Sequence, residues 1–237
     1  MSRAPRDCAL VLLTLDEIEG LHALWERLPV DRFREVVAVD GGSTDGTVAF
    51  LESRGVRVLT QPVRGRGVAF RVAAEGTVAD RLVFFSPDGN EDPDDIERLD
   101  DLLLGGADLA IARRFGPGAV NEEDGERLRL RARVNAAFSW TANVLFHDGP
   151  RVLDTINGFR ALRREALLAL GTTVKRFPIE YQITLRAMQR GWTIAELPTR
   201  EGPRIGGARK AHSMPVGMDH VKVLLTELPG ARWWRGR

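Results

Sequence analysis

Short, unbroken apolar runs alternate along the chain with stretches whose apolar residues recur at helical spacing. Cys8–Thr14 (CALVLLT) is a continuous apolar run of strand length, the mark of a strand covered on both faces. Thr14-Leu15-Asp16-Glu17 has the form of a capping box, and Ile18, Leu21, Leu24 and Leu28 follow at helix spacing. EVVAVD (Glu35–Asp40) predicts a second buried strand, and the GGSTDGT turn leads to a helix around Val48–Ser53. GVRVLT (Gly55–Thr60) predicts a third strand, followed by a helix near Val68–Glu75 and the strand Arg81–Ser86. Asp92 is set to cap a helix with Pro93 at its first position and Asp94 and Asp95 in its first turn. Ala107–Ala112 predicts a fifth strand. Strands alternating with helices predict an α/β fold, a mostly parallel central sheet with helices on both faces.

From Arg113 the pattern loosens into a basic, Gly- and Pro-containing loop that runs into a helix near Val134–Phe146. NGFRALRREALLAL predicts a short strand and a helix, IEYQITLRAMQRG an amphipathic helix, and WTIAELP a strand. A basic loop, TREGPRIGGARKAHS, precedes a last helix, PVGMDHVKVLLTEL. With no repeats and no linker, residues 1–237 are expected to form one domain.

Composition removes several function classes. A net charge of +1 gives no global reason to expect nucleic acid. Cys8 is the lone cysteine, so no disulfide framework exists within the chain and a reducing cytoplasm fits. Four His residues are scattered without zinc spacing. The opening MSRAPRDCALVLLT has too short an apolar run for a secretory leader, and no stretch reaches the ~20 apolar residues of a membrane span. GRGVAF lacks the third glycine of a dinucleotide fingerprint and does not follow the first strand, which argues against oxidoreduction.

In an open parallel sheet, ligands sit at the carboxyl ends of strands. The polar residues expected there are Thr14 and Glu17, Asp40, and Ser86 with Asp88, each of which also has an ordinary reading as a cap or turn former. Together with these ends, LLTLDEIEGL, VVAVDGGSTDGT, LVFFSPDGNEDPDDI, DTINGFRALRREAL and AELPTREGPRIGGARK occur in an order that resembles family 2 glycosyltransferases. The similarity is greatest to the dolichyl-phosphate mannosyltransferase type, and it implies a GT-A fold, a nucleoside-diphosphate sugar donor and inversion at the anomeric carbon, with 1–112 as the nucleotide-sugar half of the domain and 113–237 as its acceptor half.

The resemblance implies that Leu13, Leu15 and Glu17 line the nucleotide sugar. Gly41 stands where relatives place a nucleotide-binding acid, so Asp40 either replaces that acid or forms the turn. The metal-binding Asp-X-Asp falls on Ser86-Pro87-Asp88, which implies that Asp88, with Asn90 and Ser86, holds Mg²⁺ or Mn²⁺, Asp88 being catalytic in that sense. Arg204 and Lys210 match cations that bind the donor diphosphate. Arg113, and Arg131 and Arg133 in the alternating stretch that begins at Arg129, match cations offered to an acceptor.

Two acceptors remain open. A polyprenyl phosphate needs cations but no base; a hydroxyl or amine of a small molecule needs a base, for which Glu180 is the candidate. A third reading, from another class, is a nucleotide-sugar-binding protein without activity. The C-terminal ARWWRGR suits either peripheral contact with a membrane or a frayed tail with a packed Trp. A homodimer is a further expected partner.

Overall fold

A computed structural model describes residues 5–121, 129–206 and 213–231. Lys210 and the tryptophans of the C-terminal tail lie outside the described residues. A single seven-stranded sheet runs through the molecule in the order β3-β2-β1-β4-β6-β5-β7. Its strands are β1 (Arg6–Thr14), β2 (Phe33–Asp40), β3 (Arg57–Thr60), β4 (Arg81–Phe85), β5 (Leu109–Arg113), β6 (Arg160–Arg163) and β7 (Ile194–Pro198). The helices are α1 (Ile18–Leu24), α2 (Thr47–Ser53), α3 (Arg66–Gly76), α4 (Ile96–Leu104), α5 (Leu130–Phe146), α6 (Arg164–Ala169), α7 (Ile179–Gln189) and α8 (Ser213–Glu227). All strand pairs are parallel except those of β6, which runs against both β4 and β5.

Alternation along β1 divides the core. Cys8, Leu10 and Leu12 pack with Leu21, Leu24, Leu51, Leu99 and Leu103 beneath α1, α2 and α4. Ala9, Val11 and Leu13 point the other way, into the layer that holds Phe70, Phe146, Ile183 and Leu185. Both faces of the sheet are therefore covered, which is why the strand reads as an unbroken apolar run.

The chain leaves β1 in one direction along the sheet to β2 and β3, then returns to place β4 on the other flank of β1. That is a topological switch point, where an open sheet forms its ligand crevice. Register aligns the ends: Thr14 pairs with Asp40, and Leu12 with Phe85.

Several expectations need correction. The first helix stops at Leu24 and gives way to 3-10 turns, so Leu28 is not part of it. Thr14 does not cap it: the Asp45 carboxylate accepts from Ile18 N (3.0 Å), while Thr14 Oγ1 donates to Asp40 (3.1 Å). Asp92 does accept from Asp94 N (3.2 Å), but the turn it caps is 3-10 and α4 begins at Ile96. Helix α7 is buried nearly all round rather than amphipathic. Its polar residues are satisfied inside: Gln182 accepts from Thr173 N and Val174 N and donates to Glu227, and Thr184 donates to the Thr155 carbonyl. Among the described residues no helix is long and apolar enough to cross a membrane.

Candidate active site

Beyond β1 and β2, two loops lock together. Asp40 is buried, and its carboxylate accepts from Thr14 Oγ1 and Ser43 Oγ on one oxygen and from Gly42 N and Ser43 N on the other. Those four bonds build the turn, so of the two roles open to Asp40 in the sequence, turn former is the one with observed contacts. Gly41 N donates to the Thr14 carbonyl (2.9 Å), and a Cβ at 41 would meet Leu15 and the Thr14 carbonyl oxygen in ordinary contact. What Gly41 lacks is charge, not space. Leu13 is buried at the strand end, and Leu15 lies half-buried beside Gly41.

The turn after β4 lies against α1 and beneath the loop after β7. A side chain at Gly20 would run into the Pro87 carbonyl, so only glycine lets α1 approach so closely. Gly89, at φ +92°, reverses the chain. Main-chain bonds then tie the acidic turn to the basic loop: Ile205 N to the Asp88 carbonyl (2.7 Å) and Gly202 N to the Asn90 carbonyl (3.0 Å). Asn90 Nδ2 adds a bond to the Gly202 carbonyl (2.8 Å), which leaves the amide oxygen as its other polar atom.

This pairing brings three predicted residues into contact. Arg204 Nη1 donates to Asp88 Oδ2 (2.6 Å), and Nη2 donates to Glu17 Oε1 (2.9 Å) and Oε2 (3.1 Å). Its Nε is buried and has no hydrogen-bond partner among the described residues. A guanidinium seated on a carboxylate at a crevice shows that the place accepts positive charge. A spare buried N–H beside it is suited to an anionic oxygen.

Deeper in the crevice is a second charge cluster that sequence reasoning did not assign. Arg66, at the start of α3, donates Nε to Glu180 Oε1 in the first turn of α7. Burial opposes the Arg66 charge, but Glu180, Glu91 and Asp88 together hold its pKa above the ordinary value. Gly158 is packed so closely that a Cβ there would meet the Arg66 guanidinium. Glu91 Oε2 accepts from Ser86 N (2.6 Å). Burial pushes the Glu91 carboxyl up to about 8; the Asp88 charge adds to the shift and Arg66 opposes it.

Arg160 lies wholly buried behind α7, donating to the carbonyls of Asn157 and Glu180 and to Thr184 Oγ1. Burial draws its guanidinium down to about 10, against the pull of Glu180 and Asp154. Asp154, also fully buried, takes a two-pronged bond from Arg114 (2.7 and 3.0 Å); burial raises its carboxyl, but Arg114 and the backbone N–H groups of Arg114 and Ile156 together hold it below the ordinary value.

The predicted acceptor cations are not gathered here. Arg113 donates to the carbonyls of Phe115 (2.5 Å) and Pro117 (2.6 Å), closing its own loop. Arg131 and Arg133 lie on α5, half-buried and exposed respectively. Among the described residues no three His, Cys, Asp or Glu side chains gather as a metal cage. The donor set at β4 is carboxylate and amide oxygen, which suits a hard cation such as Mg²⁺ or Mn²⁺ that takes one or two protein carboxylates and completes its shell with phosphate and water. The residues present fit that group.

The sequence profile of Glycosyl transferase family 2 matches residues 14–171, which include the strand ends and the turn just described. Glycosyltransferase AglJ of Haloferax volcanii is 30% identical over 208 residues, covering 86% of this chain and 66% of AglJ's own length. Polyprenol monophosphomannose synthase of Mycolicibacterium smegmatis is 29% identical over 202 residues, 79% of this chain and 74% of that one. Among solved structures, glucosyl-3-phosphoglycerate synthase of Mycobacterium tuberculosis, in complex with Mn²⁺, UDP and phosphoglyceric acid, superposes with a TM-score of 0.72. That match covers 95% of this chain and 79% of the other at 23% identity, a likeness of fold.

Proposed function

The chain belongs to glycosyl transferase family 2, and from that premise we propose that it moves a sugar from a nucleoside-diphosphate sugar to a polyprenyl phosphate, with inversion and with a divalent cation on the diphosphate. Leu13, Leu15, Glu17 and Gly41 form the nucleoside end of the crevice, with Asp40 shaping its turn. Arg204 presents its spare Nε to the diphosphate, and Lys210, six positions later in the sequence, is the second cation for it. Asp88 and Asn90 hold the cation, with Ser86 contributing no charge. When bound, that cation supplies positive charge to the oxygens of the departing diphosphate.

The acceptor oxygen forms a bond to the anomeric carbon as the bond from that carbon to the diphosphate oxygen breaks. The electron pair leaves with the nucleoside diphosphate, and Arg204 and Lys210 stabilise the charge that develops there. A phosphate monoester, with a second pKa of about 6, is already dianionic near neutral pH and surrenders no proton.

The observation that carries the acceptor class is the Arg66–Glu180 pair. Glu180 is the candidate base, yet its carboxylate is 3% exposed and engaged by a guanidinium, which would have to release it before it could take a proton. An acceptor that needs no base fits this arrangement better. Helix α5 offers the matching lipid side. Leu130 (67% exposed), Val134, Trp140 (58%) and Val144 are all solvent-facing, and Arg131 and Arg133 sit among them. Apolar side chains interleaved with cations suit a membrane surface bearing anionic lipid. The similarity to a polyprenol monophosphomannose synthase supports the same reading.

The test begins with the donor. UDP-, GDP- and dTDP-sugars with Mn²⁺ are screened by thermal unfolding. A ligand at ~100 Kd contributes about 2.7 kcal/mol, or about 5–10 °C in a chain of this size. The stabilising donor, radiolabelled, is then offered with polyprenyl phosphate in detergent, and label is expected in the organic phase. Stabilisation by none of the donors would end the proposal.

A further inference from the structure

The segment between α6 and α7, together with one flank of α8, encloses a cavity of about 340 Å³. Small-molecule sites commonly have ~300–1,000 Å³ and a mostly apolar lining with a few placed polar groups. Val174, Phe177, Pro178 and Val223 supply the apolar lining here. Gln182, also in the lining, is 1% exposed and has all four of its hydrogen-bonding positions taken. It accepts from Thr173 N and Val174 N and donates to Thr173 Oγ1 (3.0 Å) and Glu227 Oε1 (2.8 Å). It therefore brings no unsatisfied polar group to the cavity.

Charge is gathered at the same place. Lys175, Arg176 and Lys222 line the cavity against the single carboxylate of Asp219, which Lys222 pairs at 2.9 Å. Among the described residues neither the Lys175 nor the Arg176 side chain has a hydrogen bond or an ion pair. The segment that carries them is anchored on the start of α3. The Lys175 carbonyl accepts from Gly67 N (3.0 Å) and Val68 N (3.3 Å), and a Cβ at Gly65 or Gly67 would collide with the carbonyls of Lys175 and Val174. Two unpaired cations on an anchored segment, beside an apolar pocket, are complementary to an anion that carries a hydrocarbon chain.

The cavity adjoins both the crevice and an apolar surface. Phe177 lines it, and the Arg66 guanidinium that pairs with Glu180 lies 5.4 Å from the centre of the same ring. On α8, Lys222 is four residues from Met218 and three from Leu225, so these side chains are neighbours on the helix surface. Met218 (63% exposed), Val221 and Leu225 (59%) form an uncovered apolar stripe there.

We propose that this cavity is the docking site of the polyprenyl phosphate acceptor. Lys175 and Arg176 hold its phosphate, which enters the crevice past Phe177. Val174, Pro178 and Val223 take the isoprene units next to the phosphate, and the rest of the chain leaves over Met218, Val221 and Leu225. The inference rests on the reading of the acceptor as a lipid phosphate, and it supplies cations for that phosphate where Arg113, Arg131 and Arg133 do not gather.

The test is calorimetric titration of farnesyl phosphate, farnesol and inorganic phosphate into the wild type and two variants. The double substitution Lys175→Gln, Arg176→Gln changes only exposed side chains and should leave Tm unchanged. Thr226→Trp fills the cavity from an exposed position on α8. Loss of the two cations should weaken farnesyl phosphate about tenfold or more and raise the KM for polyprenyl phosphate alike. Thr226→Trp should weaken it as much, and both variants should keep the wild type's stabilisation by the donor. Farnesol bound as tightly as farnesyl phosphate would remove the role of the cations, and inorganic phosphate bound as tightly would make this a site for free phosphate. Either result overturns the proposal, as would wild-type affinity in both variants; transfer of sugar to polyprenyl phosphate by the wild type would then leave the parent reading standing. A wild type that transfers to no polyprenyl phosphate overturns both.

Discussion

Replacing Glu180 by glutamine separates the two acceptor chemistries, because the structure gives the side chain a second job that can be measured independently. Its carboxylate is buried and paired with Arg66, itself 18% exposed. Removing one partner of a buried ion pair typically costs ~3–5 kcal/mol. Glutamine keeps an oxygen for Arg66 Nε, and Glu91 and Asp88 continue to hold the guanidinium. The loss should therefore be nearer that of one charge-assisted hydrogen bond, about 2 kcal/mol. For a chain of this length that is roughly 4–8 °C in Tm.

Transfer to polyprenyl phosphate, normalised to the folded fraction, should fall by less than tenfold. A general base contributes ~10²–10⁴-fold, so loss of a base would show as a far larger drop. Differential scanning calorimetry and initial rates on the same preparation give both numbers. A fall of a hundredfold or more per folded molecule, at unchanged Tm, would refute the pairing argument and make Glu180 the base.

Asp88→Asn should remove nearly all metal-dependent transfer, whereas Ser86→Ala should cost under threefold; equal small effects in a Mn²⁺-dependent rate assay would reduce the turn to a helix cap. Arg204→Met removes the guanidinium that binds both Asp88 and Glu17 and should cost about 1–3 kcal/mol in the absence of ligand. Millimolar Mg²⁺ should then raise the variant's Tm by more than the wild type's; an equal response would show that Arg204 does not occupy the cation's place. Asp154→Asn should cost ~3–5 kcal/mol at neutral pH, because it removes the carboxylate paired most closely with the buried Arg114 guanidinium, Glu201 lying farther off at 3.7 Å. Since Asp154 has its pKa lowered in the fold, its contribution is present above the usual carboxylate range and is lost as pH falls through the depressed value. Denaturation curves against pH should show the deficit closing in acid, and a deficit constant with pH would contradict the ion-pair account.

The parts of the fold legible in the sequence are those whose burial is two-sided and local. β1, β2 and β4 read as apolar runs because each is covered on both faces; their C-terminal ends fall within a residue of the expected ones, while β1 and β2 each start two residues earlier. Helix α7 reads as amphipathic in the sequence because periodicity cannot reveal that Glu180, Gln182 and Thr184 meet partners inside, Arg66 being 114 residues away in the chain. Arg113 and Arg114 are neighbours with opposite fates. The first closes its own loop and the second is buried on Asp154, and nothing in their sequence distinguishes them. The contact of Glu17, Asp88 and Arg204 is a product of motif register rather than of composition. Arg66 and Glu91 lie in GRGVAF and LVFFSPDGNEDPDDI, and neither stretch shows the partner its charge meets in the fold.

The most direct test of the account offers the purified protein a choice. With Mn²⁺ and a radiolabelled nucleoside-diphosphate sugar, polyprenyl phosphate and the uncharged polyprenol of the same length are presented in the same detergent micelles. The account predicts label on the phosphate lipid alone, released as free sugar by mild acid. Label on the polyprenol, or on neither lipid while a soluble hydroxyl compound is glycosylated in a Glu180-dependent way, would contradict it.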